Sequence, residues 1–231
     1  MLKVAPVLFI ILAALSGSLL AQPFEEGTHY HRIGAPVTVP EDRVEVVEAF
    51  AYPCPACRNF HPHISNWESN APEYVDFRRL PIALQRGWEV FALAYNTATV
   101  MGLGEDAHAA VFTALHDERR QIRNFEDLAA IYTDFDVTTE SFINTSQSFA
   151  VDSRMRRDRA DAMRYGVRQT PTMIVQGKWR LSPSGFDSMD HFFAAVDYLV
   201  AREAEALGLE GSNAADQVAS SGQQAEATAA Q

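Results

Sequence analysis

Cysteine is scarce in this sequence, and positive charge is in deficit. Only Cys54 and Cys57 occur in 231 residues, too few for a disulfide-stapled scaffold to be the source of the fold. Lysine and arginine number 19 against 30 aspartates and glutamates, a formal charge of −11. No basic stripe offsets that charge, which argues against binding nucleic acid through phosphates. The one basic cluster, "RMRRDR" (154–159), is interleaved with Asp152, Asp158 and Asp161; it predicts a solvated helix face. Also missing are a phosphate-binding glycine loop, an HExxH pair, a hydrolase nucleophile elbow and any internal repeat. Long apolar runs are confined to the start of the chain.

That start, "MLKVAPVLFIILAALSGSLLAQPF", reads as an address. Lys3 supplies a minimal positive region, an apolar stretch follows from Val4 to Leu15, and small residues come at Ser16, Gly17, Ser18 and Ala21. The expectation is a signal peptide over residues 1–21 and export to the periplasm. Leu19 sits where a small residue is preferred, so an uncleaved N-terminal tether is the alternative. The chain is 47% hydrophobic and 21% charged, the composition of an ordinary globular protein.

"VEVVEAF" (Val44–Phe50) is rich in β-branched and aromatic residues and predicts a buried strand. Phe60, Ile64 and Trp67 then recur at helical spacing, so a helix is expected from Pro55 to about Asn70, with Pro62 kinking it. Val75–Leu84 reads as a second strand. From Trp88 to about Tyr165 the pattern is helical, with Asn124 and Thr139 as expected caps. "TPTMIVQGKWRL" (170–181) predicts a hairpin turning at Gln176-Gly177. A last helix is expected from about Ser188 to Leu207, with Phe192, Ala195, Val196 and Leu199 on one face. The fold class is therefore α/β, a sheet interrupted by an all-helical block. The expected organisation is a first sheet part over 22–85, a helical insert over 86–165, a second sheet part over 166–207 and a disordered tail over 208–231.

The motif "AYPCPACRNFHPH" leaves three readings for the cysteines: staple, metal clip or redox pair. A staple across so short a loop restricts the unfolded chain by only about 2 kcal/mol. A Zn or Cu site would use Cys54, Cys57 and His61, with His63 completing a C-x2-C-x3-H-x-H run and His29 and His31 in reserve. On a helix, however, 54, 57 and 61 share a face that 63 leaves; His61 and His63 are expected at the surface. The redox reading places Cys54 at a strand-to-helix junction, where unpaired N–H groups stabilise a thiolate, and Cys57 one turn deeper. Pro171, before a strand, suits a cis bond that turns Thr170 toward the pair.

"VVEAFAYPCPAC", the helical insert and "YGVRQTPTMIVQGKW" together resemble the DsbA family of exported thiol:disulfide oxidoreductases, over about Glu25 to Leu207. The resemblance implies a thioredoxin-like mixed sheet with a helical insert and a Cys54–Cys57 disulfide. It implies Cys54 as nucleophile, Cys57 as its partner and Pro171 as the cis-proline of the substrate loop. Glu48 matches the buried acidic residue beneath the site in many members, which could manage protons for Cys57; an exposed strand residue is the competing reading. The chain departs from the family in having Pro55-Ala56 where members usually have Pro-His, and Thr170 where the best-known members have valine. The implied activity is donation of disulfides to reduced exported proteins, without a cofactor and as a monomer. A quinone-linked membrane oxidase of the DsbB type would recharge it. Reductase or isomerase activity on the same fold is the alternative.

Overall fold

A computed structural model describes residues 24–34 and 38–209. The expected signal peptide and most of the expected tail lie outside the described residues. A five-stranded mixed sheet runs in the order β1-β5-β4-β2-β3. Its strands are β1 (His31–Arg32), β2 (Val44–Phe50), β3 (Val75–Pro81), β4 (Thr172–Val175) and β5 (Trp179–Leu181). β2 pairs parallel with β3 and antiparallel with β4, so the strand that leads into the cysteines lies inside the sheet.

Alternation along β2 sends Val44 and Val46 to one face and Val47 and Ala49 to the other. The first face is covered by α1 (Pro55–Asn70) through Phe60, Ile64 and Trp67. The C-terminal helix α7 (Met189–Leu207) covers the same face through Phe192, Val196 and Leu199. The opposite face meets Leu80, Ile174 and Tyr165, the last residue of α6 (Phe149–Tyr165). Burying each such side chain contributes about 1.5–3 kcal/mol, which is why the alternation fixes the register. A third cluster joins Phe50, Tyr52, Cys54 and Cys57 to Phe112, Tyr132 and Phe142 of the intervening helices. The two cysteines are thus packed into the core of the helical region.

That region contains α2 (Glu89–Val100), α3 (Glu105–Phe112), α4 (Phe125–Ala129) and α5 (Thr139–Ser146), then α6. Several expectations are corrected here. β3 ends at Pro81 rather than Leu84, because its partner β2 ends at the paired Phe50. The cap of α5 is Thr138 and not Thr139: Thr138 has extended backbone, and its hydroxyl oxygen accepts from the Ser141 N–H at 3.1 Å. The segment after it is two helices, because Ser148 breaks the chain at φ −71°, ψ 152° and caps α6. α3 runs on into a wider turn over Thr113–Asp117, where Glu118 N–H reaches back to the Thr113 carbonyl at 3.0 Å. The basic cluster is only partly a solvated face. Arg156, Arg157 and Arg159 are exposed, but Arg154 and Asp158 both bond Asn96 of α2.

The hairpin turns where expected, with φ of +51° at Gln176 and +59° at Gly177, as a two-residue hairpin turn of this hand requires. Strain at a non-glycine in that conformation is offset by its side chain, which accepts from Glu45 N–H at 2.8 Å and donates to the Pro40 carbonyl at 3.1 Å.

Candidate active site

The chain leaves β2 at Phe50 and enters α1 at Pro55, which makes Cys54 the residue that caps the helix. Its carbonyl accepts from the N–H of Cys57 at 3.0 Å and of Arg58 at 3.1 Å. No acidic side chain occupies the first turn, so nothing on the helix itself neutralises its positive end. Cys57, one turn in, is 0% exposed, and Cys54 is 8% exposed.

Their thiols are driven apart. The Cys54 pKa falls to about 5, chiefly through the hydrogen bond from Cys57, with backbone N–H groups of Cys57 and Ala56 adding to it against the effect of burial. Cys57 is pushed far upward by that same bond and by burial, so it stays a thiol. The Cys54 thiol also donates to the Thr170 carbonyl at 3.5 Å, across a Thr170–Pro171 peptide bond that is cis. The loop is held from both sides: Thr172 Oγ1 donates to the Gln169 carbonyl at 2.9 Å and Ser182 Oγ to the Pro171 carbonyl at 3.1 Å. Ala56, Phe60, His63, Thr170, Pro171 and Met189 border a cavity of about 440 Å³ beside the pair.

Glu48 is buried, at 2% exposure, and not an exposed strand residue. Parallel register sets it opposite Arg79 of β3, with 3.2 Å between Oε2 and Nε. The two atoms are misaligned for a hydrogen bond, and both lack a partner of that kind. Burial therefore dominates and raises the Glu48 pKa to about 7, although Arg79 opposes it. Arg79 also grips Glu68 at 3.1 Å and Glu105 at 2.9 Å. Glu45, on the other face of β2, pairs with Arg78 at 2.8 Å.

The expectation that His61 lies at the surface is corrected, while His63 is exposed as expected. The ring of His61 packs on His108 and Phe112, with Nδ1 3.7 Å from Glu105. Helical spacing turns it into the helical region's core, where burial lowers its pKa. Among the described residues no group of three or more His, Cys, Asp and Glu side chains is arranged to hold a metal ion. The Cys54, Cys57, His61 run therefore does not close into a ligand set.

Some neighbours of the pair escape sequence reasoning. Arg58 grips Asp117 with two nitrogens, at 3.4 and 2.6 Å, tying the redox helix to the wide turn. His116 Nε2 lies 2.7 Å from the Tyr52 carbonyl. Both partners are remote in sequence, and no local pattern announces them. Arg79 was accessible in principle, since aligning β2 with β3 in parallel register puts it beside Glu48.

A thiol pair at the entry to a helix, facing a cis-proline loop on a mixed sheet, is the redox centre of a thioredoxin-like protein. The DSBA-like thioredoxin domain matches residues 45–197. The thiol:disulfide interchange protein DsbA of Pseudomonas aeruginosa is 34% identical over 196 residues, 84% of this chain and 93% of that protein. Its counterpart in Pseudomonas syringae pv. tomato is 31% identical over 84% of this chain and 92% of its own length. The crystal structure of P. aeruginosa DsbA superposes with a TM-score of 0.76 at 34% identity, covering 80% of this chain and 97% of that one. The Xylella fastidiosa oxidoreductase DsbA gives 0.70 at 30% identity, over 76% and 95% of the two chains. The chain belongs to the DsbA-like thioredoxin family.

Proposed function

We propose that this enzyme, a thiol:disulfide oxidoreductase, donates the Cys54–Cys57 disulfide to reduced exported proteins in the periplasm. The opposed displacement of the two thiol pKa values supports this reading most directly. A client thiolate attacks Cys54 Sγ, the Cys54–Cys57 bond breaks, and Cys57 leaves and takes up a proton. A second client thiolate then attacks the mixed disulfide. The client disulfide forms, Cys54 departs as the stabilised thiolate, and two electrons have passed to the pair. A thiol of low pKa is the better leaving group, which drives the second step toward the client.

In this reading Cys57 resolves mixed disulfides in the reverse direction, and Pro171 with Thr170 aligns the client backbone at the loop. Pro55 opens the helix that holds the thiolate, and Ala56 contributes no charge to it. Glu48, with a pKa of about 7, exchanges the proton of Cys57. Residues 1–21 direct export and the mature enzyme is a monomer. A DsbB-type quinone-linked membrane oxidase accepts the two electrons and restores the disulfide.

Cys57→Ala is expected to accumulate reductant-sensitive adducts through Cys54 on non-reducing gels of cell extracts. Equal trapping by Cys54→Ala would refute the assigned roles. Equilibration with glutathione buffers separates oxidase from reductase: a strongly reducing couple would rule out disulfide donation.

A further inference from the structure

A second cavity, of about 250 Å³, shares Gln169, Ser182 and Ser184 with the cavity beside Ala56 and Pro171. Its character is different. Arg168, Arg180, His29 and His31 lie in its wall, together with hydroxyl groups, and among the described residues no aspartate or glutamate does. That is unusual placement for a chain with 30 acidic residues and 19 basic ones.

The cations are set to receive something. Arg180 is fixed, because its Nη1 donates to the carbonyls of Tyr165 at 3.2 Å and Gly166 at 2.8 Å. Its guanidinium is therefore already ordered before any ligand arrives. Arg168 is exposed, and its side chain makes no ion pair or hydrogen bond among the described residues. His29 Nδ1 accepts from the Glu25 N–H at 3.0 Å, so its neutral ring carries hydrogen on Nε2 and is a donor there. An ordered guanidinium, a free one and nearby hydroxyls match a carboxylate.

We propose that this cavity receives an acidic side chain of the client, a few residues from the cysteine that reacts with Cys54. The proposal rests on the disulfide-donating reading and adds a substrate preference to it. An extended client lying along the cis-proline loop advances about 3.3 Å per residue. It crosses from the first cavity into the second over the shared Gln169 and Ser184. Thiols in acidic segments are then engaged ahead of those in neutral or basic ones.

The test uses the full mature chain in its disulfide form and two peptide sets. One set is cysteine-free and fluorescently labelled, with a single Glu or a single Gln moved through successive positions. Its binding reads the cavity without any thiol exchange. The second set restores the cysteines and reads the rate of peptide oxidation. At one position the Glu peptide is expected to bind about three- to fivefold more tightly than its Gln twin, an effect that shrinks with salt. The net charge of the protein alone would set that ratio below one. Arg168→Glu should abolish the preference and favour a Lys peptide at the same position. Arg180 is left intact because it holds the end of α6.

A Glu-to-Gln ratio at or below one at every position overturns the proposal, and so does a ratio that Arg168→Glu leaves unchanged. Sulfate binding at Arg168 while Glu and Gln peptides bind alike would mean a small-anion site and would also overturn it. If no peptide is oxidised but the binding preference and its reversal hold, the redox reading fails and the acidic subsite stands.

Discussion

Cys54 and Glu48 are both withdrawn from water, yet one is drawn toward its charged form and the other away from it. At Cys54 hydrogen bonding with Cys57 is the largest influence, and it lowers the pKa against the effect of burial. At Glu48 a full guanidinium lies 3.2 Å away but misses hydrogen-bond alignment, and two further carboxylates compete for it. Hydrogen bonding to a neutral neighbour overcomes burial where a shared charge does not. The redox site and the ionic layer beneath the sheet strand thus obey the same physics with opposite results.

The strongest way to break this contrast is to remove the chief donor. Cys57→Ala should raise the Cys54 pKa by about one unit or more, read from thiolate ultraviolet absorbance against pH. An unchanged midpoint would assign the whole effect to the helix terminus.

Glu48 offers the next largest effect. Its folded pKa of about 7 exceeds the ordinary 4.5, so the folded state binds the proton more tightly than the unfolded chain. Its contribution is fully present below 4.5 and is lost as pH rises through 7. The loss should reach on the order of 2–3 kcal/mol by pH 8. Denaturant unfolding of the disulfide form, in which neither cysteine titrates, reads the pH slope, and the part that Glu48→Gln removes belongs to Glu48. A slope that the substitution leaves unchanged would move the titration to another group.

The smallest expected change sharpens the contrast at Cys54. Ala56→His adds a cationic ring beside the sulfur and should lower its pKa by up to about one unit. The reduction potential should rise with it in glutathione equilibration, because the thiolate form gains stability. If neither moves, the residues between the cysteines do not tune this site.

Much of the fold was legible because it rests on local signals. Val44–Phe50 is rich in β-branched and aromatic residues, Phe60, Ile64 and Trp67 repeat at helical spacing, and Gln176-Gly177 marks the hairpin. The cysteine pair and Pro171 were legible for the same reason. Strand β1 was not, because two residues paired to an edge carry no periodicity. The break at Ser148 was hidden by helical patterning on both sides of it. Glu48 could not be placed without Arg79, and the burial of His61 depends on α3, which supplies both His108 and Glu105. The carboxylate-free cavity joins residues near 29, 168 and 180, which only the tertiary fold brings together.

The sheet's borders matter if the chain acts on reduced exported proteins as proposed. Any long, flat, unpaired border would invite a client to add itself as another strand and stay. Here one border is β1, two residues long and bearing Arg32. The other is β3, which carries Asp76, Arg78 and Arg79 within seven residues. Short length on one side and charged side chains on the other deter backbone capture by another chain. Protection against edge-to-edge pairing is in this sense built into the two outermost strands.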